Sequence, residues 1–298
     1  MRFILCLSYN GADFCGWQVQ SAAPSVQQCL ESTLTRLLGK PVAVTGAGRT
    51  DSGVHAANYV AHFDWEDSLP FEASDFCYKL NAMLPRSITV HSVAPAADDF
   101  HARFSARERS YTYFIHRKKD PFAAPYSWQC GYPVLDFGAM NEACTALIGT
   151  HDFSCFEKTG GSNKTSLCTV TEAFWKPYTP THVEIMEYGL PPAGDVGPET
   201  VASRPLPSSM GPSLLCGRGW PQVSHPTSPA GEPGYWYFRV SADRFLRNMV
   251  RAIVGSLIEV GRGRRDPAWI ADLIRNGSRG DAGESVPGHA LFLSRVRY

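Results

Sequence analysis

GAGRTDSGVHA, residues 46–56, packs three glycines, an arginine and an aspartate into one short stretch. How it is read decides how the chain around it folds. A P-loop is the first candidate, because Gly48 and Gly53 have the GxxxxG spacing. Val54 and His55 then stand where a lysine and a hydroxyl residue must be, so neither phosphate nor magnesium is served. A dinucleotide loop is the second. GxGxx from Gly46 runs into Asp51 instead of glycine, and an anionic side chain there would face a pyrophosphate. The PCxxC ligand pair of a zinc deaminase is absent as well. Two readings remain. Arg49 and Asp51 form an ordinary surface pair, or the loop presents Asp51 to another molecule. The second is favoured. The glycines strip side chains from the approach to Asp51, Arg49 is the cation expected to hold its charge, and strand candidates flank the stretch.

Outward from the loop, RFILCLSYNG reads as a buried strand and turn. SVQQCLESTLTRLLG reads as a helix with Ser25 and Gln28 at capping-box spacing and Gly39 at the C-terminal cap. VAVTG is a short strand. In NYVAHFDW, Tyr59, Ala61, Phe63 and Trp65 alternate with Val60, His62 and Asp64. Further strands are expected at 88–95, 110–117, 167–175, 182–188 and 235–241, with LFLSRVRY closing the chain. Helices are expected near 138–148, 243–260 and 267–276. In SYTYFIHR, Tyr111, Tyr113 and Ile115 face one way and Thr112, Phe114 and His116 the other. Strands and helices mix without regular βαβ alternation, which predicts an α+β fold with a largely antiparallel sheet.

Residues 189–234 hold 10 of the 22 prolines, with 8 glycines and 6 serines. Such a stretch builds no core of its own. It reads as a surface insertion between two strands, pinned by Leu214, Leu215 and Trp220.

Lys+Arg and Asp+Glu both number 28 among 298 residues, so no global charge draws the chain to nucleic acid or membrane. No apolar run is long enough for a membrane span. Nine cysteines, an odd number with no CxxC pair, fit free thiols in a reducing cytoplasm better than disulfides or structural zinc. His55 and His151 lack further ligands at suitable spacing, and structural roles are expected for both. Local basic clusters do exist. Residues 101–119 carry Arg103, Arg107, Arg109, Arg117, Lys118 and Lys119 against Glu108 alone. Arg244, Arg247 and Arg251 fall at i, i+3 and i+7 of the expected long helix, away from its stripe of Leu246, Val250, Ile253, Val254 and Leu257. Both suit a phosphate-backbone partner.

The stretch GRTDxGVHA resembles the active-site signature of the tRNA pseudouridine synthases of the A family, bacterial enzymes acting on the anticodon arm. FHARFSARERSYTYFI (100–115) is similar to the family segment carrying its active-site tyrosine, and Tyr111 matches that residue. RFLRNMVRAIVGSLIEVGRG (244–263) resembles the long C-terminal helix. YNGADFCGWQVQ (9–20), LNAMLP (80–85), GTHDFSCF (149–156) and GHALFL (288–293) match smaller signatures. The resemblance spans nearly the whole chain except the insertion and parts of the linking loops.

It implies two similar α/β halves, 1–107 and 108–298, whose largely antiparallel sheets join around a central RNA-binding cleft. It implies a homodimer that binds tRNA, and isomerisation of uridine to pseudouridine at positions 38–40 of the anticodon stem and loop, with no cofactor, metal or membrane. Asp51 is then the nucleophile, attacking base or sugar carbon or first removing a ribose proton. Arg49 guards it and fills the stack vacated by the flipped base. Tyr111 stacks on the extruded uracil, and its hydroxyl is placed to assist loss of the C5 proton, a role that needs an activated phenolate. Leu291 walls the pocket against water. Arg103, Arg244, Arg247 and Arg251 contact the substrate. Two competing readings are a tRNA-binding or folding module without chemistry, and a base-releasing N-glycosidase.

Overall fold

RFILCLSY alternates in burial as it does in polarity. In β1 (Arg2–Tyr9), Phe3, Leu5, Leu7 and Tyr9 are buried and their neighbours partly exposed, because successive residues of a strand face opposite sides. A computed structural model describes residues 1–20, 23–66, 68–160, 165–186 and 233–298 of the chain. Among these, β1 is joined by β2 (Val44–Gly46), β3 (His55–Asp64), β4 (Ile88–Ala96), β5 (Glu108–His116), β6 (Trp128–Gln129), β7 (Gly149–Asp152), β8 (Leu167–Pro177), β9 (Tyr235–Ala242) and β10 (Leu291–Arg297). All lie in one sheet with main order β4-β1-β3-β10-β5-β9-β8-β7, β2 pairing with β3 and β6 with β5. Only the β10–β3 and β5–β6 pairings are parallel. The chain is α+β with a largely antiparallel sheet, as its sequence implies.

The helices are α1 (Val26–Leu38), α2 (Ala73–Met83), α3 (Phe137–Cys144), α4 (Thr181–Met186), α5 (Met249–Gly261) and α6 (Trp269–Asn276). Apolar side chains of α1, α2, α3, α5 and α6 join Tyr59, Ala61 and Phe63 of β3, Tyr111, Tyr113 and Ile115 of β5, and Phe238, Val240 and Ala242 of β9 in one continuous core. The start of α1 follows its sequence signal. The Ser25 side chain accepts from the Gln28 N–H, and Gly39 closes the helix in the left-handed region. The last strand sets the layout of the site. Leu293 of β10 lies opposite Ala56 of β3 on one side and Tyr111 of β5 on the other. A strand from the end of the chain thus spaces the Asp51 loop from Tyr111.

Three sequence expectations are corrected. The helix expected at 243–260 begins only at Met249. Asn248 before it has φ 63°, and asparagine tolerates this left-handed conformation better than most residues. Its side-chain amide donates to Ser285 Oγ. Arg244 and Arg247 therefore precede the helix and share no helical face with Arg251. Where a strand is expected at 182–188, residues 182–186 belong instead to α4, whose first turn closes on the Pro180 carbonyl through Val183 and Glu184; residues 187 and 188 lie outside the described residues. Helix α2 was not expected.

The chain divides into two compact units, 1–178 with 233–298, and 179–232. The first contains the whole sheet. The second includes α4 among its described residues. The expected insertion and its anchors Leu214, Leu215 and Trp220 lie outside the described residues, apart from residues 233 and 234. The eight cysteines among the described residues are free thiols. No helix among the described residues is long and apolar enough to cross a membrane.

Candidate active site

The Asp51 loop links β2 to β3, and its main chain is tied down at almost every step. Ala47 N–H donates to the Val60 carbonyl (2.8 Å), and the Tyr59 hydroxyl donates to the Gly48 carbonyl. Thr50 is buried. Its hydroxyl pairs with Tyr9 Oη at 2.9 Å, and its carbonyl accepts from the Trp17 N–H at 3.2 Å. Gly53 N–H donates to the Phe14 carbonyl (3.3 Å), and Val54 N–H closes the turn on the Asp51 carbonyl (3.2 Å). Asp51 thus sits on a loop pinned on both sides, with its side chain half-buried.

The three glycines of this loop do three different things. Gly46 leaves room for Trp17 and Tyr59, which stack with centroids 4.2 Å apart behind it. Gly53 adopts φ 75°, which a side chain would strain. Gly48 alone faces open space, so the expectation that all three clear an approach holds in that form for Gly48 only. The opening segment contributes as well. Gly16 has φ 92°, and a Cβ there would overlap the Thr50 carbonyl.

Arg251, not Arg49, is the guanidinium beside Asp51. Its Nη1 lies 3.6 Å from Asp51 Oδ2, while its Nε donates to the Val286 carbonyl at 2.6 Å. Arg49 is exposed and makes no hydrogen bond or ion pair with any described residue. The pairing across the site falls to a helix of the second half. Arg49, pointing outward from the same loop, is left free to meet something else.

Tyr111 is 9% exposed, and its ring packs edge-on against Phe245 with centroids 5.0 Å apart. Burial pushes its phenol up to about 12. Arg109 opposes the push, and the nearby Asp51 carboxylate adds to it. The hydroxyl is therefore protonated at neutral pH, and without substrate the activated phenolate that direct proton removal requires is not formed. Leu291 is buried at the start of β10, opposite Tyr113.

The remaining arginines are spread over separate segments. Arg103 is exposed, its guanidinium 5.7 Å from the centroid of the exposed Phe104 ring. Arg244 is half-buried and Arg247 exposed. In the sequence Arg109 is one charge of a basic cluster. In the structure it binds the carbonyls of Ala47, Arg103, Ala106 and Asp243. The signal was present: Arg109 lies two residues before Tyr111, on the same strand face. His55 is structural, as expected. Nδ1 accepts from the Gly11 N–H at 3.0 Å, so Nε2 carries the proton and donates to the His289 carbonyl at 2.9 Å. Among the described residues, no three histidine, cysteine, aspartate or glutamate side chains are grouped to hold a metal ion.

A continuous α+β sheet with an aspartate loop beside a buried tyrosine defines a fold of the pseudouridine synthase type. A family model described as tRNA pseudouridine synthase matches residues 5–105 and 143–298. The tRNA pseudouridine synthase A of Porphyromonas gingivalis is 39% identical over 297 residues, covering 100% of this chain and 97% of the relative. That of Parabacteroides distasonis is also 39% identical, covering 100% and 96%. The tRNA pseudouridine synthase A 2 of Clostridium perfringens is 32% identical, covering 99% and 98%. The chain belongs to the tRNA pseudouridine synthase family.

Proposed function

We propose that this chain is an isomerase converting uridine to pseudouridine in tRNA, with Asp51 as its reacting carboxylate. Full-length similarity to the A-type synthases supports the activity and the tRNA substrate. The observation that carries the assignment to Asp51 is its placement on a pinned loop, beside Arg251 and within electrostatic reach of Tyr111.

The reaction breaks the bond from ribose C1′ to uracil N1 and forms one from C1′ to C5. The C5 proton leaves and N1 gains a proton, so the sum is an isomerisation. Asp51 supplies the carboxylate that carries the separated fragment covalently, dividing one hard step into easier ones. Arg251 orients it. Tyr111 holds the turned-out uracil by stacking, as an aromatic ring holds an unstacked base. Arg49, exposed on the same loop, occupies the space left in the RNA stack. Leu291 and its neighbours keep water from the intermediate. Arg103, Arg244 and Arg247 contact the phosphate backbone.

The substrate positions are the uridines at 38–40 of the anticodon arm, and the working form is a cytoplasmic homodimer binding tRNA across both subunits. The chain divides functionally near residue 107, with Asp51 in the first part and Tyr111, Arg251 and Leu291 in the second. Incubating purified protein with unmodified tRNA, and mapping the product by chemical probing, tests this. Pseudouridine on the anticodon arm is expected. Free uracil would identify an N-glycosidase, and tightly bound but unchanged tRNA a binding module.

A further inference from the structure

We infer that Arg109 is the positioning residue of this site, a single guanidinium that holds the Asp51 loop in register with Tyr111 and with two RNA-facing segments. The kinetic part of the inference rests on the isomerase reading above. Nε and Nη2 of Arg109 donate to the Ala47 carbonyl at 3.3 and 3.0 Å. Nη2 also donates to the Arg103 carbonyl. Nη1 donates to the Asp243 carbonyl at 2.8 Å and the Ala106 carbonyl at 3.4 Å. Every acceptor is main chain, and the acceptors come from three stretches far apart in sequence. No carboxylate pairs with Arg109 among the described residues.

A guanidinium is the only side chain that does this. Its donors are fixed in a plane and point outward in several directions. The lysine ammonium places all its donors on one atom and cannot span carbonyls on opposite sides. Burial works against the Arg109 charge, and the converging carbonyl dipoles compensate for it. A cation spent wholly on main-chain oxygens has no donor fork left for a phosphate. Its task is to fix the chain.

The places it fixes are the ones the reaction depends on. Ala47 begins the loop that carries Asp51. Arg103 is itself one of the exposed RNA-facing arginines. Asp243 precedes Arg244. Arg109 and Tyr111 project from the same face of β5, so the strand that presents the stacking ring also grips the loop that presents the carboxylate. Slack of about 1 Å between reacting groups costs on the order of 100-fold in rate.

The test uses Arg109→Lys and Arg109→Gln in the full chain, with amide hydrogen exchange, tRNA affinity and the single-turnover rate of pseudouridine formation measured on each. In both variants exchange is expected to quicken at 46–54 and 101–106 while β1 and β9 stay protected. The rate is expected to fall roughly 10- to 100-fold, with the dissociation constant for tRNA changed by less than about threefold. Unchanged exchange in the two segments overturns the inference. So does exchange that rises across the whole sheet, which makes Arg109 a general fold residue. A loss carried by affinity with the rate intact makes it an RNA contact instead. If the unsubstituted chain makes no pseudouridine, the isomerase reading fails, and the exchange pattern still decides the clamp.

Discussion

At the residue scale the site is assembled from distant partners. Asp51 meets Arg251 of α5 and leaves its near neighbour Arg49 facing solvent. Sequence spacing shows which charges are close along the chain, but not which guanidinium a loop turns toward. For that reason the Asp51 loop and Tyr111 stand out in the sequence and the Arg251 pairing does not. Tyr111 also shows how burial alters a role. With its phenol raised to about 12, the proposed function assigns substrate stacking to the ring and not to an ionised oxygen. Stacking of a base on an aromatic ring is worth about 1–3 kcal/mol. Tyr111→Ala is therefore expected to slow single-turnover isomerisation roughly 10- to 100-fold more than Tyr111→Phe, which keeps the ring. Equal losses in the two variants would assign the work to the hydroxyl.

At the element scale, local signals were readable where side chains cap or alternate, and silent where tertiary packing decides. Helix α1 announced itself through Ser25 and Gly39. Helix α2 did not. Glu72 before it makes no side-chain cap, and its buried residues are only Phe76 and Leu80. The start of α5 was misplaced because the arginine spacing continues a helical period through Asn248, where the backbone turns left-handed. The approach of the opening segment to the Asp51 loop was equally invisible, since it depends on Gly16 lying against Thr50. Gly16→Ala sets a Cβ into the Thr50 carbonyl at a φ that disfavours side chains. Unfolding in urea should show a loss of about 1–3 kcal/mol, together with a slower reaction from a displaced loop. A variant as stable and as fast as the parent would contradict the described contact.

At the scale of the whole molecule, the C-terminal strand joins the halves. Lying between β3 and β5, β10 makes one sheet of them, with the Asp51 loop on one side and Tyr111 on the other. The sequence implied joined halves by resemblance, but the insertion of β10 at the seam is a long-range pairing that no local pattern encodes. The same sheet buries three neutral histidines. Burial lowers the pKa of His55, His62 and His116, with His62 falling to about 4. Below pH of about 6.5 the unfolded chain binds protons that the folded one excludes. The stability these rings contribute is complete above that pH and declines as pH falls toward the folded values. The urea midpoint should therefore drop between about pH 6.5 and 4.5, and a midpoint constant over that range would mean that the rings are charged or accessible. The proposed role of Asp51 as the carboxylate of a tRNA uridine isomerase is tested most directly by measuring pseudouridine formation and tRNA affinity of Asp51→Ala on an unmodified tRNA that the parent chain modifies. Asp51→Ala is expected to bind tRNA within a few-fold of the parent and to form no pseudouridine, whereas pseudouridine formed by the variant would show that another group is the reacting carboxylate.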